Sequence, residues 1–575
     1  LGDQLAARRA DQQGVVDLYL FWRGAPQDPD ECSRTLAEAL QPIPFAHDVR
    51  RVAIGVCTGG GRPVAYFTFR PDGSLLAEDE LVRDLHPMVG RRLDLWRLRN
   101  FDITRIQAPE DVLLYHCVAK DNAADQRLVA MAQVRELAVV RDDDDRVSSL
   151  PQVERVIANC VEGIRRGRAT LGTRAAPLDM NHVWVHVWPI IDAQLDQLTA
   201  LQRGIAPLTA GAGIDEVVAQ GRVAAPNGAI IPVAARFYYQ PGSGVQFTVD
   251  APPTKRLRPM DDYAQKVVRA RRRGTVYPYE LQAMVAGEGG TAVEHDLDDA
   301  GRLVPVDRPA GRNKAGIVVG VATTPTELHP EGITRVILSG DPTRALGAVA
   351  EAECARMVAA IDLAERLGVP VEWYALSAGA RISMDSGTEN MDWVARGLKR
   401  IIEFTQSGGE INVVVAGINV GAQPYWNAES TMLMHTKGIL VMTPDSAMVL
   451  TGKQALDFSG GVSAEDNFGI GGYDRVMGPN GEAQYWAPNM TAAVEILFAH
   501  YAHAYVAPNE RFPRAAVTTD PRDRDVREYP HVHPGSDFTT IGDVFSAERN
   551  GDRKKPFDIR TVMRAVMDTD HAVLE

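Results

Sequence analysis

Two glycine-rich turns, each directly after an apolar segment, are the features of this sequence best suited to chemistry. The first is Ser377-Ala378-Gly379-Ala380-Arg381, and the second is Gly417-Ile418-Asn419-Val420-Gly421-Ala422-Gln423. Small residues at a strand-to-helix junction let a ligand approach the backbone N–H groups closely. Two such amides aimed at one point form an oxyanion hole, which suits a thioester carbonyl becoming an enolate. Taken alone, a turn of this kind more often serves packing.

Strands alternate with helices around these turns, and this pattern predicts parallel strands joined by crossover helices. The predicted strands are 317–321, 335–338, 371–376 and 411–416, and the predicted helices are 345–367 and 393–405. Each turn would then lie at a strand-to-helix junction.

The first half of the chain has an α+β pattern. The predicted elements are a strand at 18–22, a hairpin of 52–56 and 64–69, a helix at 153–164, a central strand at 183–188 and a strand pair of 230–239 and 245–249. The hairpin follows from Gly59-Gly60-Gly61 between two apolar runs. The acidic run 142–145 predicts a solvated loop. A basic, proline-punctuated segment at 255–273 is broken by residues 274–279, and this break predicts the main domain boundary.

Composition excludes several classes of function. The chain has 575 residues with a formal net charge of −14, which argues against broad binding to nucleic acid or anionic membranes. Its five scattered cysteines contain no Cys-x-x-Cys pair, so we expect neither a disulfide framework nor a cysteine metal site. The same cysteine usage predicts a cytoplasmic location. No apolar run reaches the roughly 20 residues needed to cross a bilayer. The first residues lack an initiator Met and a signal pattern, which favours a fragment of a longer polypeptide.

Other conspicuous residues have simpler interpretations. His182 and His186 share one face of a predicted strand and are expected to be core histidines rather than metal ligands. The pair His531 and His533 is expected in a solvated loop. The basic segment 255–273 could contact phosphates or a carrier domain, although a solvated helix face is the simpler interpretation. Residues 469–472 lack the lysine and serine of a P-loop, which excludes ATP binding there.

The order of the motifs resembles a known family. Residues 313–521 resemble the N-terminal half of the carboxyltransferase domain of acetyl-CoA carboxylases, within the crotonase superfamily. The matching motifs are Ser377 to Arg381, Gly417 to Ala422, Leu450-Thr451-Gly452-Lys453-Gln454-Ala455-Leu456, Gly471-Gly472 and Gly478-Pro479-Asn480-Gly481. Upstream, residues 98–103 and 179–184 resemble the central region of eukaryotic-type, single-chain acetyl-CoA carboxylases. The chain lacks the cysteine zinc ribbon of the multisubunit bacterial carboxyltransferase.

The resemblance implies a fold and a domain order. The fold class would be an α/β crotonase-like half-domain with a parallel sheet, preceded by α+β central domains. Its regions would be 1–150 and 151–275, both α+β and of the central type, then 276–525, the crotonase-like half, and 526–575, a linker towards a C-terminal half.

The resemblance also implies an activity. The carboxyl group of carboxybiotin would pass to the α-carbon of acetyl-CoA or a related acyl-CoA, giving malonyl-CoA or a homologue. Biotin would be carried covalently on a separate carrier domain, its ureido nitrogen would serve as the base, and ATP would be used elsewhere in the holoenzyme. The implied partners are the biotin carboxyl carrier and biotin carboxylase domains, the C-terminal carboxyltransferase half, and a second copy or larger homo-oligomer.

The site residues follow from the same resemblance. The N–H groups of Gly421 and Ala422 would hold the enolate oxygen, and the CoA site would be lined by Ser377, Gly379, Ala380, Arg381 and Gly417. Arg381 has two open roles, a CoA phosphate contact and a structural ion pair. Many relatives place two glycines where this chain has Gly421-Ala422, so the identity of the donor stays open.

Two other functions share these features. A crotonase-fold lyase that decarboxylates a carboxyacyl-CoA would use the same oxyanion turns but would not need the long upstream region. A non-catalytic scaffold of a carboxylase assembly would not need to bind CoA.

Overall fold

The computed structural model describes residues 14–42, 49–73, 75–109, 111–173, 177–193, 197–198, 201–224, 228–240, 242–382, 389–432, 436–461 and 463–570. It divides into two compact units. The first unit is Leu1–Gln240 with Gly244–Asp261, and the second is Pro241–Ser243 with Asp262–Glu575. The boundary between the units, at Asp261 and Asp262, lies inside the basic segment 255–273 and before the predicted break at 274–279. The finer division into four regions stays a prediction.

The helices and strands of both units are numbered in chain order. The helices are α1 (Pro29–Leu40), α2 (Pro87–Arg92), α3 (Pro151–Leu171), α4 (Leu201–Thr209), α5 (Asp262–Arg271), α6 (Pro278–Ala286), α7 (Glu351–Leu367), α8 (Glu389–Gln406), α9 (Ala422–Thr431), α10 (Lys453–Phe458), α11 (Asn467–Gly471), α12 (Met490–Ala504), α13 (Ile541–Phe545) and α14 (Ile559–Val566). The strands are β1 (Gly14–Phe21), β2 (Val49–Cys57), β3 (Ala65–Asp72), β4 (Leu75–Glu78), β5 (Phe101–Ile106), β6 (Val112–Ala119), β7 (Asn122–Val134), β8 (Val140–Arg141), β9 (Val147–Ser149), β10 (Asn181–Ile191), β11 (Ile214–Ala224), β12 (Ile230–Gln240), β13 (Gly244–Asp250), β14 (Thr291–Leu297), β15 (Leu303–Pro305), β16 (Ile317–Thr324), β17 (Ile333–Gly340), β18 (Val371–Ser377), β19 (Ile411–Val420), β20 (Leu440–Met442), β21 (Ala447–Val449) and β22 (Tyr485–Trp486). None of the described helices is both long enough and apolar enough to cross a membrane.

A small sheet opens the first unit, in the order β1-β2-β3-β4. Strands β2 and β3 are antiparallel, which confirms the hairpin predicted around the three glycines. Helix α1 buries Cys32 and Leu36 against Ile54 and Phe67 of this sheet. Its first turn is capped by Asp28, whose carboxylate accepts the N–H groups of Asp30 and Glu31.

The second sheet of this unit has the order β13-β12-β11-β10-β7-β6-β5. Strand β10 is parallel to both β7 and β11, so the prediction of a central strand at 183–188 is confirmed. Helix α3 packs its apolar stripe, including Ile157 and Ile164, on one face. The sheet takes strands from both sides of residue 150.

The second unit is built on a sheet with the order β15-β14-β16-β17-β18-β19-β20-β22, and β21 pairs with the end of β19. Its strands are parallel from β17 to β22. The predicted parallel pairing is confirmed for the strands from β17 onward and is wrong for the predicted strand 317–321, because β14, β16 and β17 pair antiparallel. Residues 325–332, which join β16 to β17, are too few for the crossover that parallel neighbours require.

Two predicted boundaries also differ from the structure. The helix predicted at 345–367 begins at Glu351, because Ala345–Gly347 form a separate turn with Leu346 in a left-handed conformation (φ 56°). The strand predicted at 411–416 runs on to Val420, because its last residues pair with β21. Both changes affect the segments that surround the two glycine turns.

Candidate active site

The structure brings the two glycine turns together. Strands β18 and β19 are parallel neighbours, so the turns that follow them meet at one edge of the sheet. A Cβ atom built on Gly379 would lie 3.2 Å from the carbonyl oxygen of Val420. A Cβ atom on Gly421 would lie 3.7 Å from the Cα of Gly379. Both glycines have positive φ angles, 91° and 64°, a conformation that glycine adopts without strain.

Most amides of the first turn are used to hold its shape. The buried Ser377 accepts the Gly379 N–H on its Oγ at 3.1 Å. The Arg381 N–H donates to the carbonyl of Val349 at 2.8 Å, and the Val349 N–H donates to that of Gly379 at 2.9 Å. The Ala380 N–H has no hydrogen-bond partner in the part of the chain that the structure describes. Ala380 is therefore the residue of this turn that can offer an amide to a ligand.

The second turn separates the roles of its last two residues. The N–H of Gly421 donates to the carbonyl of Val449 in β21 at 3.0 Å, so this amide is already paired. Ala422 is the first residue of α9, with Gly421 as its N-cap. The N–H groups in the first turn of a helix have no partner within the helix, and the helix dipole places partial positive charge there. Ala422 thus presents the amide at this turn, and Gly421 shapes the backbone that precedes it.

Gly417 lies inside β19 rather than in the turn. A Cβ atom at this position would come within 2.8 Å of side-chain carbons of both Leu376 and Thr275. The residue therefore allows close packing beneath the turns.

Asn419 ties the two strands together below the turns; sequence reasoning placed it within the second turn but assigned it no role. Its fully buried side chain donates from Nδ2 to the carbonyls of Ala375, at 3.0 Å, and Gly417, at 3.3 Å. The pairing of β18 with β19 shifts register between Ala375 and Ser377. The amide of Asn419 therefore satisfies carbonyl groups where the regular ladder is interrupted. An asparagine within an apolar strand was the one available signal.

A buried ion pair fixes β18 shortly before the first turn. Arg335 of β17 donates from Nε to Glu372 of β18 at 2.7 Å, and both side chains are fully buried. The hydroxyl of Tyr374 donates to the same carboxylate at 2.5 Å. Burial, and next the charge of Glu372, raises the pKa of Tyr374 well above its ordinary value, so this hydroxyl stays a donor.

A basic pocket of about 740 Å³ lies beside the first turn. It is lined by Leu297, Lys314, Ala315, Gly316, Arg344, Ala345, Ala348, Ala350, Glu351, Ala352, Glu353, Ala355, Arg381, Asn390 and Trp393. Lys314, Arg344 and Arg381 are exposed cations. The Glu353 carboxylate is occupied by the N–H groups of Gly316 and Ala350. Sequence reasoning found Arg381 but missed the other two cations, because separate loops supply them.

Comparison with known proteins gives the class of this second unit. Residues 316–572 match the family model of the carboxyl transferase domain, and the domain belongs to the crotonase-like superfamily. The match continues through most of the predicted linker 526–575. Residues 30–208 match the model of the acetyl-CoA carboxylase central region. The chain therefore carries an acetyl-CoA carboxylase central region followed by a carboxyl transferase domain.

Curated relatives of this chain include two acetyl-CoA carboxylases from yeasts. The acetyl-CoA carboxylase of Saccharomyces cerevisiae is 22% identical over 383 residues, covering 58% of this chain and 17% of that protein. That of Schizosaccharomyces pombe is 23% identical over 397 residues, covering 59% and 17%. The chain thus spans under a fifth of the length of these relatives. A solved structure, the central domain of yeast acetyl-CoA carboxylase, is 19% identical in sequence and has a TM-score of 0.30. The match covers 43% of this chain and 38% of the chain in that structure. That score is too low to establish a common fold.

Proposed function

We propose that this chain is the carboxyltransferase component of a biotin-dependent acyl-CoA carboxylase. The carboxyl group of carboxybiotin would pass to the α-carbon of acetyl-CoA or a related acyl-CoA. The observation that carries this proposal is the close approach of the two turns at Gly379 and Gly421, the residues that directly precede Ala380 and Ala422. The carboxyl transferase match over residues 316–572 supports the same reaction class.

The Ala422 N–H is the proposed donor to the enolate oxygen of the acyl-CoA. It lies at the positive end of α9, where negative charge is favoured. The Ala380 N–H would contact the thioester from the opposite turn. Gly421 and Gly379 let the two backbones approach, and Ser377 holds the first turn in shape.

The turns supply backbone amides rather than a side-chain base. The Ser377 hydroxyl is buried and already bonded to Gly379, so it is not placed to take a proton from a substrate. This donor set fits a reaction in which biotin, when bound, supplies the base through its ureido nitrogen. The protein residues would then bind and orient the acyl-CoA and stabilise the oxygen that becomes negative.

The basic pocket is the proposed site for the phosphates of CoA. Arg381 joins it directly to the first turn, and Lys314 and Arg344 add two further positive charges. Guanidinium groups bind phosphate in a bidentate manner. This proposal selects the phosphate role for Arg381 over the purely structural one.

The proposed partners follow from the length of the relatives. We propose that the second unit is the crotonase-like N-terminal half of the carboxyltransferase, completed by a C-terminal half and by a second copy of the chain. Biotin carboxylase and biotin carrier domains would supply carboxybiotin, with ATP used in the former, and the assembly would be cytoplasmic.

The test is carboxylation by the holoenzyme that contains this chain. Labelled bicarbonate and ATP would be supplied with acetyl-, propionyl- and longer acyl-CoAs. Label in the acyl-CoA, abolished by avidin, is expected and would rank the substrates. Release of carbon dioxide from a carboxyacyl-CoA without any fixation would identify a decarboxylase instead. If the isolated chain does not bind CoA in calorimetry and the holoenzyme fixes no labelled bicarbonate, the non-catalytic scaffold is the function that remains.

A further inference from the structure

A second cavity, here named the arginine pocket, lies wholly within the first unit and has a volume of about 670 Å³. It is lined by Val15, Asp17, Arg50, Arg51, Thr68, Arg70, Asp79, Leu81, Val82, Pro87, Met88, Gly90, Leu95, Trp96, Arg99 and Arg256. Five of these residues are arginines and two are aspartates, so the walls carry excess positive charge. The carboxyl transfer proposed for the second unit makes no use of this cavity.

Three of the five arginines have no partner that accounts for their charge. Arg51 pairs with Asp17 at 3.3 Å, and Arg70 pairs with Asp79 at 2.5 Å. Among the described residues, none forms an ion pair or hydrogen bond with the exposed guanidinium groups of Arg50, Arg99 and Arg256. These three groups come from β2, from the end of the turn before β5, and from the segment after β13. Their convergence on one cavity indicates an anionic ligand.

Buried donors at the same cavity give independent support. Thr68 is 1% exposed, and its hydroxyl has no partner among the described residues. The Nε of Arg51 is buried and also lacks one. Buried polar groups of native proteins are nearly always hydrogen-bonded. An oxygen-rich ligand in the cavity would satisfy both groups.

The cavity is also lined by apolar side chains and an aromatic ring. These include Leu81, Pro87, Met88, Leu95 and Trp96. The Trp96 indole donates from Nε1 to Asp94 at 3.0 Å, which fixes the orientation of the ring. A flat, positioned indole beside guanidinium groups is suited to a ligand with both an aromatic ring and phosphates.

We propose that the arginine pocket binds a nucleoside polyphosphate. The phosphates would contact Arg50, Arg99 and Arg256 and the hydroxyl of Thr68, and the base would lie against Trp96. The volume falls within the range of about 300–1,000 Å³ typical of small-molecule sites. This site is separate from the CoA site proposed in the second unit and does not depend on it.

Calorimetry on the purified 575-residue chain tests the proposal, with ATP as the probe. Arg99→Gln is expected to weaken ATP binding about tenfold, as is typical for the loss of one charge-assisted hydrogen bond. Thr68→Val should also weaken ATP binding while leaving the protein folded, because its hydroxyl has no hydrogen-bond partner among the described residues. Arg155→Gln is the matched control, since it removes one exposed charge from α3, away from the pocket.

Two further measurements separate the alternatives. Inorganic triphosphate should bind more weakly than ATP if Trp96 recognises the base. Arg381→Gln should leave ATP binding unchanged, because Arg381 lies in the second unit; a loss with this variant would assign ATP to the CoA site. Absence of ATP binding, equal binding of triphosphate, or insensitivity to both Arg99→Gln and Thr68→Val would each overturn the proposal.

Discussion

The backbones of Gly379 and Gly421 approach so closely that a Cβ atom on Gly421 would lie 3.7 Å from the Cα of Gly379. The two residues lie in different turns, and the parallel pairing of β18 with β19 brings them together. Their closeness places the amides of Ala380 and Ala422 at the same edge of the sheet. Glycine is favoured at both positions by their positive φ angles, and at 379 also by the tight approach to the carbonyl of Val420.

Replacing Ala422 with proline tests the proposed donor directly. Proline has no N–H, yet it is favoured at the first position of a helix, so Ala422→Pro should fold with a near-normal melting temperature. We expect carboxylation to fall by about 10²–10³-fold, the usual cost of losing an oxyanion donor. Ala422→Gly keeps the amide and should retain most activity. Normal turnover by a folded proline variant would exclude this amide.

Gly379→Ala tests the contact between the turns. The substitution adds the strain of a left-handed residue, about 1–2 kcal/mol, and a close contact with the carbonyl of Val420. Gly481→Ala is the control, because its φ of 80° is similar and its Cβ would meet no atom within 4 Å. In urea unfolding, the free energy of unfolding should fall about 1–3 kcal/mol further for Gly379→Ala than for the control. Equal losses would show that the turns can separate without cost.

Arg381→Gln tests the assignment of the basic pocket to CoA phosphates. The loss of one charge-assisted contact should weaken CoA binding about tenfold. An acyl-pantetheine substrate, which lacks the nucleotide, should be used equally well by the variant and the wild type. Lys399→Gln on the exposed face of α8 is the charge-matched control. A parallel loss with acyl-pantetheine would instead mean that Arg381 supports the turn itself.

Glu216 should make the first unit sensitive to acid. Its carboxylate is buried and lies 2.5 Å from Arg236 and 3.5 Å from His182. Burial acts to raise the pKa of Glu216, but His182 and Arg236 outweigh it and lower the pKa from 4.5 to about 2. Because the folded-state pKa is depressed, the stabilisation is complete above about pH 4.5 and is lost as the pH falls towards about 2. It amounts to about 3 kcal/mol.

The measurement is the free energy of unfolding of Glu216→Gln and wild type at several pH values. The variant should be less stable at neutral pH, and the difference should shrink between about pH 5 and pH 3. Glu162→Gln, which alters an exposed carboxylate on α3, should show no such convergence. A difference independent of pH would mean that packing, rather than charge, stabilises the protein at this position.

Local patterns in the sequence predicted much of the fold. The hairpin of β2 and β3 follows from three glycines between apolar runs, and β10 is central because both of its faces are apolar. These features depend on residues near one another in the chain. The predicted parallel pairing fails between β16 and β17, because the connection at residues 325–332 is too short for a crossover helix.

The sequence by itself determined the residue types of the site. Glycine at positions 379 and 421 already indicates that a ligand can come close to the backbone there. The small residues beside them, Ala380 and Ala422, indicate that backbone N–H groups are accessible. Only the tertiary structure decided which amide is available, because the partner of the Gly421 N–H is a carbonyl in β21. Lys314, Arg344 and Arg381 likewise share a pocket only once β16, β17 and β18 are assembled. Hydrogen-bond partners and converging charges come from distant segments, and their pairing is fixed by the packing of the whole sheet.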